Sequence, residues 1–421
     1  MKQTLGFFLI FLLPLHLLAQ GENRSDRIRS VQLYRSGEPS SLAALPLGAT
    51  DGMELHFDDL DNRVRNYYYS FQLCNVDWTP SNLNPFDYIR GFQNVRITNY
   101  RNSSLATTRY IHYQAPVPDR NCYPTRSGNY LLRVFLDNDT GKTVFTRRMV
   151  IYDNKAEITA QVQQPFNATL FRTAQKLNIG VKIDSRVQVM SPNDLKVMVL
   201  QNNNWQTSLF LDRPTIYRGN FFEYSDEAVT AMSAGREFRW VDLRSLRLKS
   251  DRVASINNRG DTTKVEVRAD PNRRDQVYVY YRDLNGAFTI EALENINPYW
   301  QGDYAEVKFT YVPAGNRQLQ GEDLYLFGQI TNWAADTTGR MEFNKELGVY
   351  ERTLFLKQGF YNYVYVSKPA SGKGAIDFGS LEGNYFGTEN TYTVLIYNRP
   401  FGARADELIG AATLSSLFNV R

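Results

Sequence analysis

The stretch Met53–Trp78 reads MELHFDDLDNRVRNYYYSFQLCNVDW. In an extended chain, Tyr67, Tyr69, Phe71 and Leu73 fall on one face, and Tyr68, Ser70, Gln72 and Cys74 on the other. Further on, Tyr130, Leu132, Val134 and Leu136 repeat the alternation, the turn DNDTG follows at 137–141, and Lys142–Tyr152 returns as a second strand. Helical spacing is weak everywhere and is suggested only at Asp406–Phe418. Aromatic residues make up 14% of the chain and concentrate in these short alternating runs. The reading is an all-β protein of tandem β-sandwich, immunoglobulin-like domains.

Outward from this stretch, the chain divides at two breaks in the strand pattern. One lies near Tyr152–Lys155, the other near Asn295–Tyr304, where Asn297, Pro298, Gly302 and Asp303 interrupt it. The expected units are an N-terminal β-sandwich at 24–153, a middle β-domain at 154–298, a C-terminal sandwich at 299–399 and a tail at 400–421. Residues 1–19 read as a signal peptide: Lys2 is the positive start, Leu5–Leu13 the apolar run, and Ala19 the small residue before the cut. The apolar run is shorter than the about 20 residues a membrane anchor needs. The expected protein is exported and does not itself span a membrane. The formal net charge is +4 and the basic residues are scattered, which argues against nucleic acid as a partner.

Candidate chemistry is sparse. After the leader, the histidines are His56 and His112, each inside a strand-like run and away from any zinc-ligand spacing. No nucleophile elbow and no phosphate-binding glycine loop occurs, so no catalytic residue, metal ligand or cofactor is assigned. Asp58, Asp59 and Asp61 form one acidic cluster, and Asp137 with Asp139 another. Calcium loops require about six to eight oxygens, whereas Asp and Asn at hairpin turns are ordinary turn chemistry. Cys74 and Cys122 either pair as a disulfide or stand as two buried thiols. Tyr361, Tyr363 and Tyr365 share one strand face, opposite Phe360, Val364 and Val366. That tyrosine face reads either as packing or as an exposed docking and stacking surface.

The ordered motifs LHFDDL (Leu55–Leu60), YYYSFQLCNVDW (Tyr67–Trp78), FDYIRGF (Phe86–Phe92), SGNYLLRVF (Ser127–Phe135) and VFTRRMVIY (Val144–Tyr152) resemble the plug protein family of the type IX secretion system. The resemblance continues through QNNNWQTSLF (Gln201–Phe210), GREFRWVDLRSLRL (Gly235–Leu248), LYLFGQITNW (Leu324–Trp333), LKQGFYNYVYV (Leu356–Val366) and Glu382–Asp406. It implies a periplasmic, non-enzymatic protein on the inner face of the outer membrane. Its partner would be the giant outer-membrane β-barrel translocon, whose periplasmic mouth it closes. The C-terminal unit is also similar to early-set, glycogen-binding-like sandwiches, in which a Trp placed like Trp333 stacks on sugar. The alternative expectation is therefore a carbohydrate-binding protein, with Trp333, Tyr361 and Tyr363 as its platform.

Overall fold

The computed structural model describes residues 25–419; the signal peptide expected over residues 1–19 lies outside them. Met53–Asp59 and Tyr67–Cys74 are strands in opposing sheets of one sandwich. The first sheet runs Ile28–Arg35, Met53–Asp59, Ile111–Val117, Asn99–Asn102. The second runs Ala44–Pro46, Thr143–Tyr152, Gly128–Leu136, Tyr67–Cys74, Val95–Arg96. Between them the inward residues of each alternating strand, among them Phe57, Tyr67, Tyr69, Phe71, Tyr113, Tyr130 and Phe145, form one core.

The middle sandwich pairs Ala156–Gln163 with Ala174–Ile183, which continues to Phe221–Tyr224 and Ile216–Arg218. Its second sheet runs Asn204–Leu211, Leu195–Gln201, Thr391–Asn398, Glu407–Ser415. The last two strands come from the end of the chain. The third sandwich is thus inserted between Ala231–Ser233 and Thr391–Asn398 of the middle one. One of its sheets is built on Tyr304–Val312 and Val349–Lys357, the other on Phe360–Pro369 with Arg239–Asp242, Phe288–Thr289 and Glu322–Phe327.

The strand pairing corrects the expected division at 154–298, 299–399 and 400–421. Residues 239–242, 253–257 and 263–267 belong to the third unit, and the expected tail contains Glu407–Ser415, paired along its length with Thr391–Asn398. The weak helical spacing from Asp406 onward is therefore strand down to Ser415. The physical cause lies in TYTVLIYN at Thr391–Asn398, where both faces are apolar. Tyr392, Val394 and Ile396 fill the middle core, while Leu395 and Tyr397 pack outward against the first sandwich. A strand buried on both sides must be central, and that requires a further strand beyond it. Among the described residues, no helix is long and apolar enough to cross a membrane.

Candidate functional site

The outer face of the first sheet is polar yet buried. Alternation turns Leu55 and Phe57 inward and leaves Glu54, His56 and Asp58 on the opposite face, where the neighbouring strands add Gln32, Tyr34 and His112. The third sandwich covers this face. Asp58 accepts hydrogen bonds from Tyr304 Oη (2.6 Å), Lys357 Nζ (2.5 Å) and His112 Nδ1 (2.7 Å). Lys357 also donates to the carbonyl of Tyr299 at 2.6 Å and lies 4.1 Å from the centre of the Tyr110 ring. His56 stacks on Tyr299 at 4.2 Å, and its Nδ1 lies 3.2 Å from His112 Nε2. Nearby, Asp303 accepts from the backbone N–H groups of Thr107 (2.8 Å) and Thr108 (3.0 Å), and Tyr110 donates to the Gly302 carbonyl at 2.6 Å.

Burial alone would raise the Asp58 carboxyl; the Lys357 ammonium and the His112 hydrogen bond overcome it and hold the group below its ordinary value. Burial, then the neighbouring His112, pushes His56 down to about 4. The cluster is a fully engaged ionic clamp between two domains. The histidines, read from sequence only as lying in separate strand-like runs, meet because His112 and Asp58 are register partners on adjacent strands. The one visible signal was polar residues at alternate positions of an otherwise core strand.

A second clamp joins the first sandwich to the middle one. Cys74, Val76, Trp78 and Val150 pack against Met198, Leu200, Leu395 and Tyr397. Buried Asp406 accepts from the Val76 N–H at 2.9 Å and from Arg399 Nε at 2.9 Å, and Tyr397 donates to Asn129 Oδ1 at 2.7 Å. Cys74 belongs to this interface, whereas Cys122 lies in the core on the other side of the sheet. Both are free, so the disulfide alternative is corrected to two buried thiols, each pushed up to about 12 by burial.

Tyr361, Tyr363 and Tyr365 are buried in the core of the third sandwich, which corrects the docking alternative for that face. These three tyrosines are tolerated there because each of their hydroxyls has a partner. Tyr361 donates to the Lys357 carbonyl, and Tyr363 and Tyr365 both donate to Asp270 Oδ2 at 2.9 Å. Asp270 is held in turn by Arg239 and Arg252, and Arg239 and Arg273 also bind Glu382. Burial would raise Glu382, but the charges of Arg239 and Arg273 hold it down to about 2. Trp333 is half-buried, edge-on to Phe238 and Phe327 with ring centres 6.0 and 5.6 Å away. A Cβ at Gly286 would lie 2.3 Å from its ring, so only glycine allows this approach.

The acidic clusters are dispersed by their partners. Asp59 accepts from Tyr67 Oη at 2.6 Å, Asp61 pairs with Arg65, Asp137 with Lys142, and Asp139 caps the Gly141 N–H. No group of three or more His, Cys, Asp or Glu among the described residues is arranged to hold a metal ion.

The surface of the first sandwich carries an aromatic, basic tip. In FDYIRGF, Tyr88 and Ile89 are buried, while Phe86 is 76% and Phe92 68% exposed, with Arg90 exposed between them. A capping box from Asn84 and Asp87 sets the turn carrying Phe86. Gly91 is required in the hairpin, because a Cβ there would lie 2.0 Å from the Asn121 carbonyl oxygen. Exposed Arg120 and Arg126 flank the partner strand Cys122–Pro124.

Comparison with known proteins adds three findings. Residues 28–153 match the family described as type 9 secretion system plug protein, first domain. A crystal structure of a hypothetical protein from Parabacteroides merdae shares 30% sequence identity with a TM-score of 0.89, covering 94% of this chain and 99% of its own. Native E. coli alpha-2-macroglobulin aligns at 9% identity and a TM-score of 0.16, over 91% of this chain and 22% of its own, which is too weak to inform the fold. No curated protein matches the chain.

Proposed function

Because this chain belongs to the type 9 secretion system plug protein family, we propose that it is a non-enzymatic periplasmic plug that closes the periplasmic mouth of the outer-membrane translocon. The observation that carries this reading is the cross-bracing of the three sandwiches. A body that blocks a wide pore must not hinge. Here the first sandwich is clamped to the third through Asp58 and Lys357, and to the middle through Asp406 and the Trp78 cluster. The insertion of the third unit into the middle one ties those two at both chain crossings. Buried, hydrogen-bonded charges of this kind bind two surfaces in one register.

Docking runs through the Phe86, Arg90 and Phe92 tip. Exposed aromatic and arginine side chains are the residue types that anchor interfaces. A gate must also leave, which favours a compact anchor with a polar rim over a broad apolar face. A carbohydrate platform has less support, because Tyr361 and Tyr363 are core residues and cannot join Trp333 in an exposed stacking surface. The test uses a photo-reactive residue at position 86 or 92, with the translocon solubilised from outer membranes. Cross-links to the barrel, together with leakage of large solutes in a deletion strain, are expected. Membranes that stay tight without the protein, and no co-purification with the barrel, would sink the reading.

A further inference from the structure

A cavity of about 320 Å³ lies between the middle and third sandwiches. Its floor is apolar and comes from the third unit, through Phe238, Trp333, Ile376 and Phe378. Its opposite wall is the strand Asn204–Leu211, which contributes Asn204, Thr207 and Ser208. Three sequence stretches far apart in the chain, QNNNWQTSLF, GREFRW and GQITNW, meet here. The volume is roughly twice that of an engineered protein cavity of about 150 Å³ that takes up benzene, and an aromatic cavity with a few polar groups at a domain junction is the usual form of a binding site.

Two features narrow the occupant. Asn204–Leu211 is the outer strand of its sheet, so one row of its backbone groups has no strand partner. Such an edge recognises another extended backbone, and a pocket beside it receives that segment's side chain. Arg236 stands on the cavity wall and donates only to the carbonyls of Arg274 (3.3 Å) and Gln276 (2.7 Å). It makes no ion pair within hydrogen-bonding reach among the described residues, and Glu382 and Glu237 act on it only through space. The Glu382 carboxylate on the same wall is already taken by Arg239, Arg273 and the Tyr365 N–H. The wall therefore carries one guanidinium without a salt bridge of its own beside an aromatic floor.

We infer that this cavity binds an extended peptide segment of a partner chain, one that pairs with Asn204–Leu211, inserts a large apolar side chain against Trp333 and Phe378, and sets a carboxylate on Arg236. This site is distinct from the exposed tip and does not depend on the plug reading.

The test is fluorescence titration of the full chain with anilinonaphthalene sulfonate, an aromatic anion that mimics the side chain and the charge together. Saturable binding is expected. Ser208→Trp, which fills the cavity from its rim, should weaken it about tenfold or more. Arg236→Gln should weaken the anionic probe about fivefold and leave its uncharged analogue, N-phenyl-naphthylamine, unchanged. A hexapeptide alternating Val and Thr, with one Phe followed by Asp, should displace the probe; versions with Ser for Phe, or Lys for Asp, should not. Undiminished probe binding by folded Ser208→Trp would overturn the site. Equal displacement by all three peptides, or by none, would overturn the occupant.

Discussion

Replacing Lys357 by Met tests the clamp between the first and third sandwiches. Lys357 and Asp58 are both buried, and the substitution removes hydrogen bonds of 2.5 Å to Asp58 and 2.6 Å to the Tyr299 carbonyl. Asp58 keeps Tyr304 and His112 as donors but loses its lysine partner. Breaking a buried pair from one side costs about 3–5 kcal/mol. A ceiling follows from protonation. An aspartate with an unfolded pKa of about 3.9 can be neutralised at pH 7 for about 4 kcal/mol, and at pH 5 for about 1.5 kcal/mol. In the parent, Asp58 is depressed, so its contribution is complete above its ordinary pKa and is lost as pH falls through the lower folded value. In the variant the folded pKa is raised, so the folded state binds the extra proton and the deficit relative to the parent shrinks as pH falls. Urea midpoints measured at both pH values, with hydrogen exchange at 299–304 as the local readout, give the comparison. Asp58→Asn in the Lys357→Met background should recover most of the loss. A deficit under about 1 kcal/mol at pH 7, unchanged at pH 5 and unaffected by Asp58→Asn, would refute the reasoning.

Four further outcomes are expected. Ending the chain after Pro400 removes Glu407–Ser415, including Leu408 and Ile409, both 0% exposed; the middle sandwich should lose its cooperative melt, and a parental Tm would show that the strand is dispensable. Phe86→Ser with Phe92→Ser should leave stability within about 0.5 kcal/mol yet weaken barrel association by more than about 1 kcal/mol, read by co-purification yield and thermal melting. His56 is neutral in the folded protein while the unfolded chain takes its proton at the ordinary 6.5, so its stability contribution is complete above that pH and is lost as pH falls towards 4; a Tm-versus-pH curve should flatten over that range in His56→Phe. The free Cys74 and Cys122 should resist maleimide in the folded state and titrate as two thiols once denatured, whereas a bridge would give none.

The first sandwich was legible because its strands are covered on the core side by apolar residues at every second position, as in YYYSFQLC. The division of the later chain was not. A local break such as Asn297–Pro298 resembles a domain boundary, whereas here it forms the short helix Pro298–Gln301 inside the third unit's cover over the first sheet. The Tyr361, Tyr363 and Tyr365 stripe was ambiguous for a different reason. A tyrosine can be core or surface according to whether its hydroxyl finds a partner, and for two of these the partner is Asp270, more than ninety residues away. Of the sites considered, FDYIRGF was visible as a motif, but only the fold shows that it divides into buried Tyr88 and Ile89 and exposed Phe86 and Phe92.

By itself, the sequence determined the all-β class and which residues share a strand face, because alternation and turn chemistry act over a few residues and survive without any knowledge of partners; its ordered motifs carried the family resemblance. Tertiary structure alone decided which strands share a sheet, that the third sandwich is an insertion, and that His56, Asp58, His112 and Lys357 close into one clamp. Those outcomes depend on pairing across as many as 299 positions of chain, and long-range register is set by the competition of whole faces for burial, which no local pattern records.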